Sequence, residues 1–224
     1  PMGAVYGFYE FLKRTTGIRW YGFEDEDVAF AGPAHTVDIV KKPRIAFRGY
    51  EVAGLRHDEH YMRKFLLWMV RNCWNLVDIN ASAWQKCTFR QEYKELAKLY
   101  GIKLAIGCHA SEEFLPEEVF KEHPEYFGLR NGKRCLRSSV YFPEIDRTRE
   151  NCPIQPCYTN PKARKFIADN IVRYIESYPE LDIFSLWPHD GINNWCECDT
   201  CKSTTPYEML YSVAMQVAES IKRP

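Results

Sequence analysis

From Arg44 onward the chain alternates between two hydrophobic rhythms. Residues 44–52, 75–81, 102–108 and 181–187 are short apolar runs bounded by Gly, Pro or polar residues, as buried strands are. Between and after them, residues 58–72, 89–100, 160–178 and 207–222 carry apolar positions at helical spacing. Phe65, Leu66, Met69 and Val70 mark one face of the first of these helices. Gly101 is a stop signal for the second, and Asn160-Pro161 reads as N-cap and first-turn proline of the third. Strand and helix therefore alternate four times, which predicts parallel βαβ units. A stretch of low periodicity, residues 110–159, interrupts the third unit, and a loop of that length in a compact domain is usually functional.

The first 42 residues follow another pattern. Val5, Phe8, Tyr9, Phe11 and Leu12 recur at helical spacing before Gly17, and Ile18 to Tyr21 reads as a short strand. Residues 23–40 are acidic, then broken by Gly-Pro, then alternating. This predicts the end of a small α+β domain over residues 1–42, a linker at Lys41-Lys42-Pro43, and four βα units over residues 43–224. Four units amount to half of a (β/α)8 barrel. An open doubly wound sheet is the alternative, but no GxGxxG or GxxxxGK[ST] loop follows any strand. The expected fold class is thus α/β, a partial (β/α)8 TIM barrel preceded by the end of an α+β domain. On this reading the chain is a fragment whose partner is the remaining half of the barrel in a parent chain.

Composition narrows the function. Thirty basic residues balance thirty acidic ones, which argues against nucleic acid or an anionic membrane as the main partner. There is no apolar run long enough to span a membrane. Hydrophobic residues make up 46% of the chain, enough for a real core, and aromatics make up 15%. Most of those rings belong in a core, while a minority can stack on sugar rings.

The segment Leu181–Cys201 concentrates the candidate chemistry. Its apolar strand runs into Trp187, His189, Asp190, Asn193, Asn194 and Trp195, and then into Cys196, Cys198 and Cys201. Strand ends share one face of a barrel. The other ends offer Arg48 with Glu51, Asn80 with Trp84, and His109. A cation, amides, aromatic walls, histidines and a carboxylate suit a neutral polyol, with Asp190 and His189 placed for acid–base work. Each has a structural alternative. Arg48 would pair with an acid such as Glu51, Asn80 would cap the loop after it, His109 would be a hydrogen-bonded structural residue, and Asp190 would form an Asp-Gly turn.

Nine cysteines cannot all pair within the chain. Cys73 and Cys108 sit in apolar runs and read as inert core thiols. Cys196, Cys198 and Cys201 have two readings. With His189, Cys135, Cys152 or Cys157 they complete a tetrahedral zinc site, or a disulfide such as Cys152–Cys157, or one within the cluster, forms instead. In both readings the thiols brace the loop after the fourth strand. The site assignment includes no metal and no cofactor.

Several stretches resemble known families. Residues 3–22, GAVYGFYEFLKRTTGIRWYG, resemble the closing helix and strand of the domain before the barrel in α-glucuronidases and family 20 hexosaminidases. RIAFRGYEV resembles the FRG strand that opens the family 20 barrel. HPEYFGLRNGKR, QPCYTNPKAR and SLWPHDGINNWCECDTC resemble, in that order, a bacterial domain long catalogued as of unknown function and associated with family 163 glycoside hydrolases, endo-β-N-acetylglucosaminidases acting on N-glycans. The resemblance implies a retaining glycoside hydrolase, an oligosaccharide or glycan substrate, and a periplasmic or extracellular setting. It implies an acid at the end of the fourth strand, a sugar-binding role for Arg48 and a place near the sugar for His109. Family 20 carries adjacent Asp and Glu at the fourth strand, whereas this chain has His189-Asp190. Asp190 thus takes either the acid's slot or that of the residue steering the substrate acetamido group. A non-catalytic glycan-binding module and a zinc-stabilised interaction domain are the rival readings.

Overall fold

The computed structural model describes residues 2–22, 28–30, 38, 40–52, 59–109, 113–134, 136, 155–189 and 195–221. The chain divides into two compact units, Pro1–Ile106 with Glu180–Phe184, and Gly107–Pro179 with Ser185–Pro224. The division does not fall at the Lys41-Lys42-Pro43 linker read from the sequence. Residues on both sides of that linker share the first unit.

In the first unit, α1 (Met2–Thr15) is followed by β1 (Ile18–Trp20), which pairs antiparallel with β2 (Val28–Phe30). The helix stops at the expected place because Gly17 takes a left-handed φ of 73°. Trp20 is buried and anchors this segment on α2 (Glu59–Arg71). Its carbonyl accepts from the Trp68 indole N–H at 3.2 Å and from Asn72 Nδ2 at 3.0 Å, and Arg71 lies over its ring at 5.2 Å. The apolar face of α2 is the one read from the sequence. Met62, Phe65, Leu66, Met69 and Val70 are all buried.

Four strands form one parallel sheet: β3 (Gly49–Val52), β4 (Leu76–Asn80), β5 (Lys103–His109) and β8 (Ile183–Trp187), in that order. β3 and β4 pair in register, Gly49 opposite Leu76 and Val52 opposite Ile79. Sequence order and spatial order coincide, as in the consecutive βα units of a (β/α)8 barrel. A doubly wound sheet reverses its order at a switch point. The fold class is therefore α/β, with the strand order of a partial barrel. The crossovers contain α2, then α3 (Ala81–Lys86) with α4 (Arg90–Leu99), then α5 (Pro161–Ser177).

The first of these strands is shorter than the pattern predicts. Residues 44–48 do not form a strand, and several of their backbone groups pair with side chains. Asn75 Oδ1 accepts from Arg48 N at 2.8 Å, Asn75 Nδ2 donates to Ala46 O at 2.9 Å, and Arg48 Nη1 donates to Ile45 O at 2.8 Å.

In the second unit, α5 packs against α7 (Pro206–Ser220) through Ile167, Ile171, Met209, Val213 and Val217, all buried. Both helices start as their sequences dictate. Asn160 caps α5 ahead of Pro161, and Thr205 with Glu208 forms a capping box on α7. Glu208 is held below the ordinary carboxylate range, chiefly by the Thr205 backbone N–H. Within the low-periodicity stretch, β6 (Leu129–Arg130) and β7 (Lys133–Arg134) form a small hairpin. Its turn is Asn131-Gly132, with φ of 49° and 74°, the geometry that Asn-Gly favours. A one-turn helix, α6 (Asp199–Lys202), precedes α7. Among the described residues no helix is long and apolar enough to cross a membrane.

Gly101 joins α4 to β5 with a left-handed φ of 59°, and a Cβ there would run into the Met2 side chain. Gly101→Ala is expected to destabilise the chain by about 1–2 kcal/mol, from left-handed backbone strain with crowding of Met2. A urea midpoint shift at unchanged slope measures this.

Candidate functional site

Strands β5 and β8 end side by side, and their ends gather the ring systems of interest. His109 closes β5, and Trp187 closes β8 with Pro188 and His189 following. The His109 and His189 rings stack at 4.6 Å with only 11° between their planes. The Trp187 ring meets His109 edge-on at 6.0 Å. His109 Nδ1 lies 2.6 Å from Pro188 O. A carbonyl only accepts, so Nδ1 must carry the hydrogen, which makes Nε2 the acceptor of the neutral ring. His189 is buried, while His109 and Trp187 are partly open.

Two residues absent from the sequence-based site hold this arrangement. Gln155, fully buried, donates from Nε2 to His189 O at 2.9 Å, and its Oε1 accepts from Tyr158 OH at 3.2 Å. Tyr158 in turn lies 6.2 Å from the Trp195 ring. Their signal in the sequence is the QPCYTNPKAR stretch, a motif whose residue types alone assign no role to its members.

The other sequence candidates divide clearly. Arg48, Asn80 and Trp84 belong to the first unit. The Arg48 guanidinium donates to carbonyls, Nε to Cys73 O at 2.6 Å and Nη1 to Ile45 O and Ala46 O, and it lies over the Tyr6 ring at 5.8 Å. Those partners pin its own loop, and they are carbonyls rather than the acid partner considered from the sequence. Arg48 also lines a cleft of about 710 Å³ with Tyr6, Glu10, Phe11 and Asn72. Asn80 takes the capping role considered for it: its Oδ1 accepts from Ser82 N at 2.9 Å and Ala83 N at 3.4 Å, starting α3. Trp84 has 0% exposure and packs edge-on against buried Tyr93 at 5.7 Å. A ring so enclosed has no open face for a sugar, so Trp84 is a core residue here. Asp190, Asn193 and Asn194 lie outside the described residues, as do Cys135 and Cys152.

Beyond Trp195 four thiols converge. Cys157, Cys196, Cys198 and Cys201 place their sulfur atoms all within 4.8 Å of one another. They form the described group of side chains able to hold a metal. Cys157 is held far below the ordinary thiol range, first by the Cys196 thiol and then by that of Cys201, while Cys196 and Cys201 are raised, first by Cys157. The cluster therefore favours a thiolate at Cys157.

The family model described as Domain of unknown function (DUF4838) matches residues 32–220. The chain belongs to the DUF4838 family. The match takes in the whole parallel sheet, the two-histidine cluster and the four thiols. No curated protein matches the chain. Among solved structures it is similar to an alpha-galactosidase from Lactobacillus brevis, at 9% identity and a TM-score of 0.42, over 76% of this chain and 23% of that one. This chain thus spans about a quarter of that protein's length.

The capping role of Asn80 makes a clear expectation. Asn80→Asp retains the oxygen and stays within a few tenths of a kcal/mol of the parent, whereas Asn80→Ala loses about 1 kcal/mol. Denaturant unfolding of the two variants side by side checks it.

Proposed function

We propose that this DUF4838 chain contributes the catalytic face of a retaining glycoside hydrolase acting on β-linked N-acetylglucosaminides of glycans. In this reading residues 1–42 close a preceding α+β domain, and residues 43–224 supply four βα units of the barrel. The observation that carries the reading is the stacked pair His109–His189 beside Trp187, at the C-terminal ends of adjacent parallel strands. That end of such a sheet is where barrel enzymes keep their chemistry. The resemblance of residues 155–164 and 185–201 to family 163 glycoside hydrolases supplies the substrate class.

The roles follow from the side chains. Trp187 and Trp195 provide apolar surface for the sugar face, since a pyranose ring presents C–H groups to an indole. His109, with Nδ1–H committed to Pro188 O, keeps its ring beside Trp187 at the strand end. His189 is fixed by Gln155 through its backbone, and Asp190 follows it directly in the sequence. Asp190 serves as the proton donor to the leaving oxygen or as the residue orienting the acetamido group. Asn193 and Asn194, next along the chain, complete the hydrogen-bonding set for sugar hydroxyls.

The test uses the full-length protein. Incubation with an N-glycoprotein, read by mass spectrometry, is expected to release oligosaccharide by cleavage at N-acetylglucosamine. Asp190→Asn is expected to lower turnover by about 10²–10⁴-fold while circular dichroism stays unchanged. Parent-like turnover in that variant would remove Asp190 from the chemistry. Tight glycan binding with no release by the parent protein would move the reading to a binding module.

A further inference from the structure

The four thiols ask for an explanation that glycan chemistry does not supply. Cys157 precedes the Asn160 cap of α5, whereas Cys196 and Cys198 lie between β8 and α6 and Cys201 lies within α6, about forty residues later. Nothing local requires them to meet. Yet Cys157 Sγ is 3.7 Å from Cys198 Sγ and 3.8 Å from Cys201 Sγ, and all four sulfurs lie within 4.8 Å of one another. A tetrahedron with sulfur at the usual zinc distance of about 2.3 Å has edges of about 3.8 Å. A disulfide needs about 2.05 Å and joins only two sulfurs, so it gives no reason for four to share one point. All four cysteines are free thiols.

The surroundings are those of thiolates. Leu129 N–H points at Cys196 Sγ from 3.3 Å, and Arg134 Nη1 approaches the same sulfur at 3.4 Å. Thr159 Oγ1 sits 3.0 Å from Cys201 Sγ. An N–H, a guanidinium and a hydroxyl around four sulfurs form the donor shell that orients metal-bound thiolates and spreads their charge. Cys157, Cys196 and Cys201 are buried and Cys198 is half-buried, so the centre is largely shielded from water.

We infer that Cys157, Cys196, Cys198 and Cys201 bind one zinc ion as a closed, four-thiolate structural site. Four sulfur ligands leave no open position for a substrate, so the ion braces rather than reacts. What it braces can be read from the neighbouring bonds. Glu197 N donates to Leu129 O at 2.8 Å, Asn131 N donates to Glu197 Oε2 at 3.1 Å, and Arg130 pairs with Glu197 at 3.0 Å. The ion thereby locks three pieces together: the β6–β7 hairpin, the segment leading into α5, and the segment following β8. Among the candidates for the fourth ligand, the sulfur geometry selects Cys157 and releases His189, whose ring is stacked on His109. The metal site stands on that geometry and does not depend on the glycosidase reading.

The test begins with the full-length protein purified without chelator. Elemental analysis is expected to give one zinc per chain. Cobalt(II) exchange is expected to give the visible absorption of a tetrahedral four-thiolate centre. Alkylation of the native protein followed by peptide mapping is expected to spare these four cysteines until zinc is removed, while the half-exposed Cys87 reacts at once. Cys157→Ser is expected to weaken zinc by more than about 100-fold and to shift the cobalt spectrum to three sulfurs, with Cys87→Ser unchanged as the control. A chain with no stoichiometric zinc, iron in its place, a disulfide between any two of the four, or an unchanged cobalt spectrum in Cys157→Ser would overturn the assignment. The alkylation map is read on the parent protein, so the inference stays testable if the serine variant does not fold.

Discussion

The register between β5 and β8 decides which side chains meet at the C-terminal ends of the two strands. It is set at the start of the two strands by one carboxylate. Asp182 accepts the Leu104 backbone N–H at 3.0 Å and Lys103 Nζ at 2.8 Å, and its own N–H donates to Leu104 O at 2.9 Å. Parallel strands advance equally, so five residues beyond Leu104 and Asp182 the pair reaches His109 and Trp187. A one-residue slip would turn every following side chain to the opposite face. His109 could not then stack on His189 and donate to Pro188 O. The backbone pairing at one end is thus the physical origin of the side-chain cluster at the other. The partly exposed Lys103–Asp182 ion pair adds little energy by itself. The bidentate backbone contact of Asp182 is what fixes the alignment.

The sheet is legible in the sequence because its strands are apolar and its helices carry strong end signals. Asn160-Pro161 marks the start of α5 to the residue, and Gly17 and Gly101 mark stops that the backbone realises with positive φ. What stays hidden lies where side chains replace regular hydrogen bonds. Residues 44–48 have strand-like composition, but Asn75 and Arg48 occupy several of their polar groups, and the strand begins only at Gly49. The short helix α3 leaves no periodicity to detect. Its one marker is Asn80, whose residue type suits a sugar ligand as well as a cap. The Asn131-Gly132 turn is a strong local hairpin signal, but it is masked by the weak pattern of residues 110–159 around it.

The candidate site is legible in its histidines and less so in its aromatics. Periodicity can say that a tryptophan follows a strand, but not whether its face is open. Trp84 lies one turn into α3 and turns inward against Tyr93, whereas Trp187 remains partly exposed beside His109. The difference is one of packing. Burying an indole removes a large apolar area from water, and the α3–α4 layer has the space for one. The fourth thiol is hidden for a related reason. In the sequence Cys157 is one of several loop cysteines, and no spacing rule connects it to residues as distant as Cys198 and Cys201. Only the folded chain brings their sulfurs together.

Residues beyond a strand have no ladder to hold them, and after β8 contacts from elsewhere in the chain take its place. Gln155 holds the His189 carbonyl, the Cys157 thiol meets those of Cys198 and Cys201, and Glu197 ties the same stretch to the β6–β7 hairpin. Gln155 and Cys157 are two residues apart, so one short stretch before α5 holds both His189 and the cysteines Cys198 and Cys201. A four-thiolate ion would make that support covalent in effect. The long connection between β5 and α5 then has a physical purpose. It delivers Gln155 to the His189 carbonyl and Cys157 to the thiols of Cys198 and Cys201.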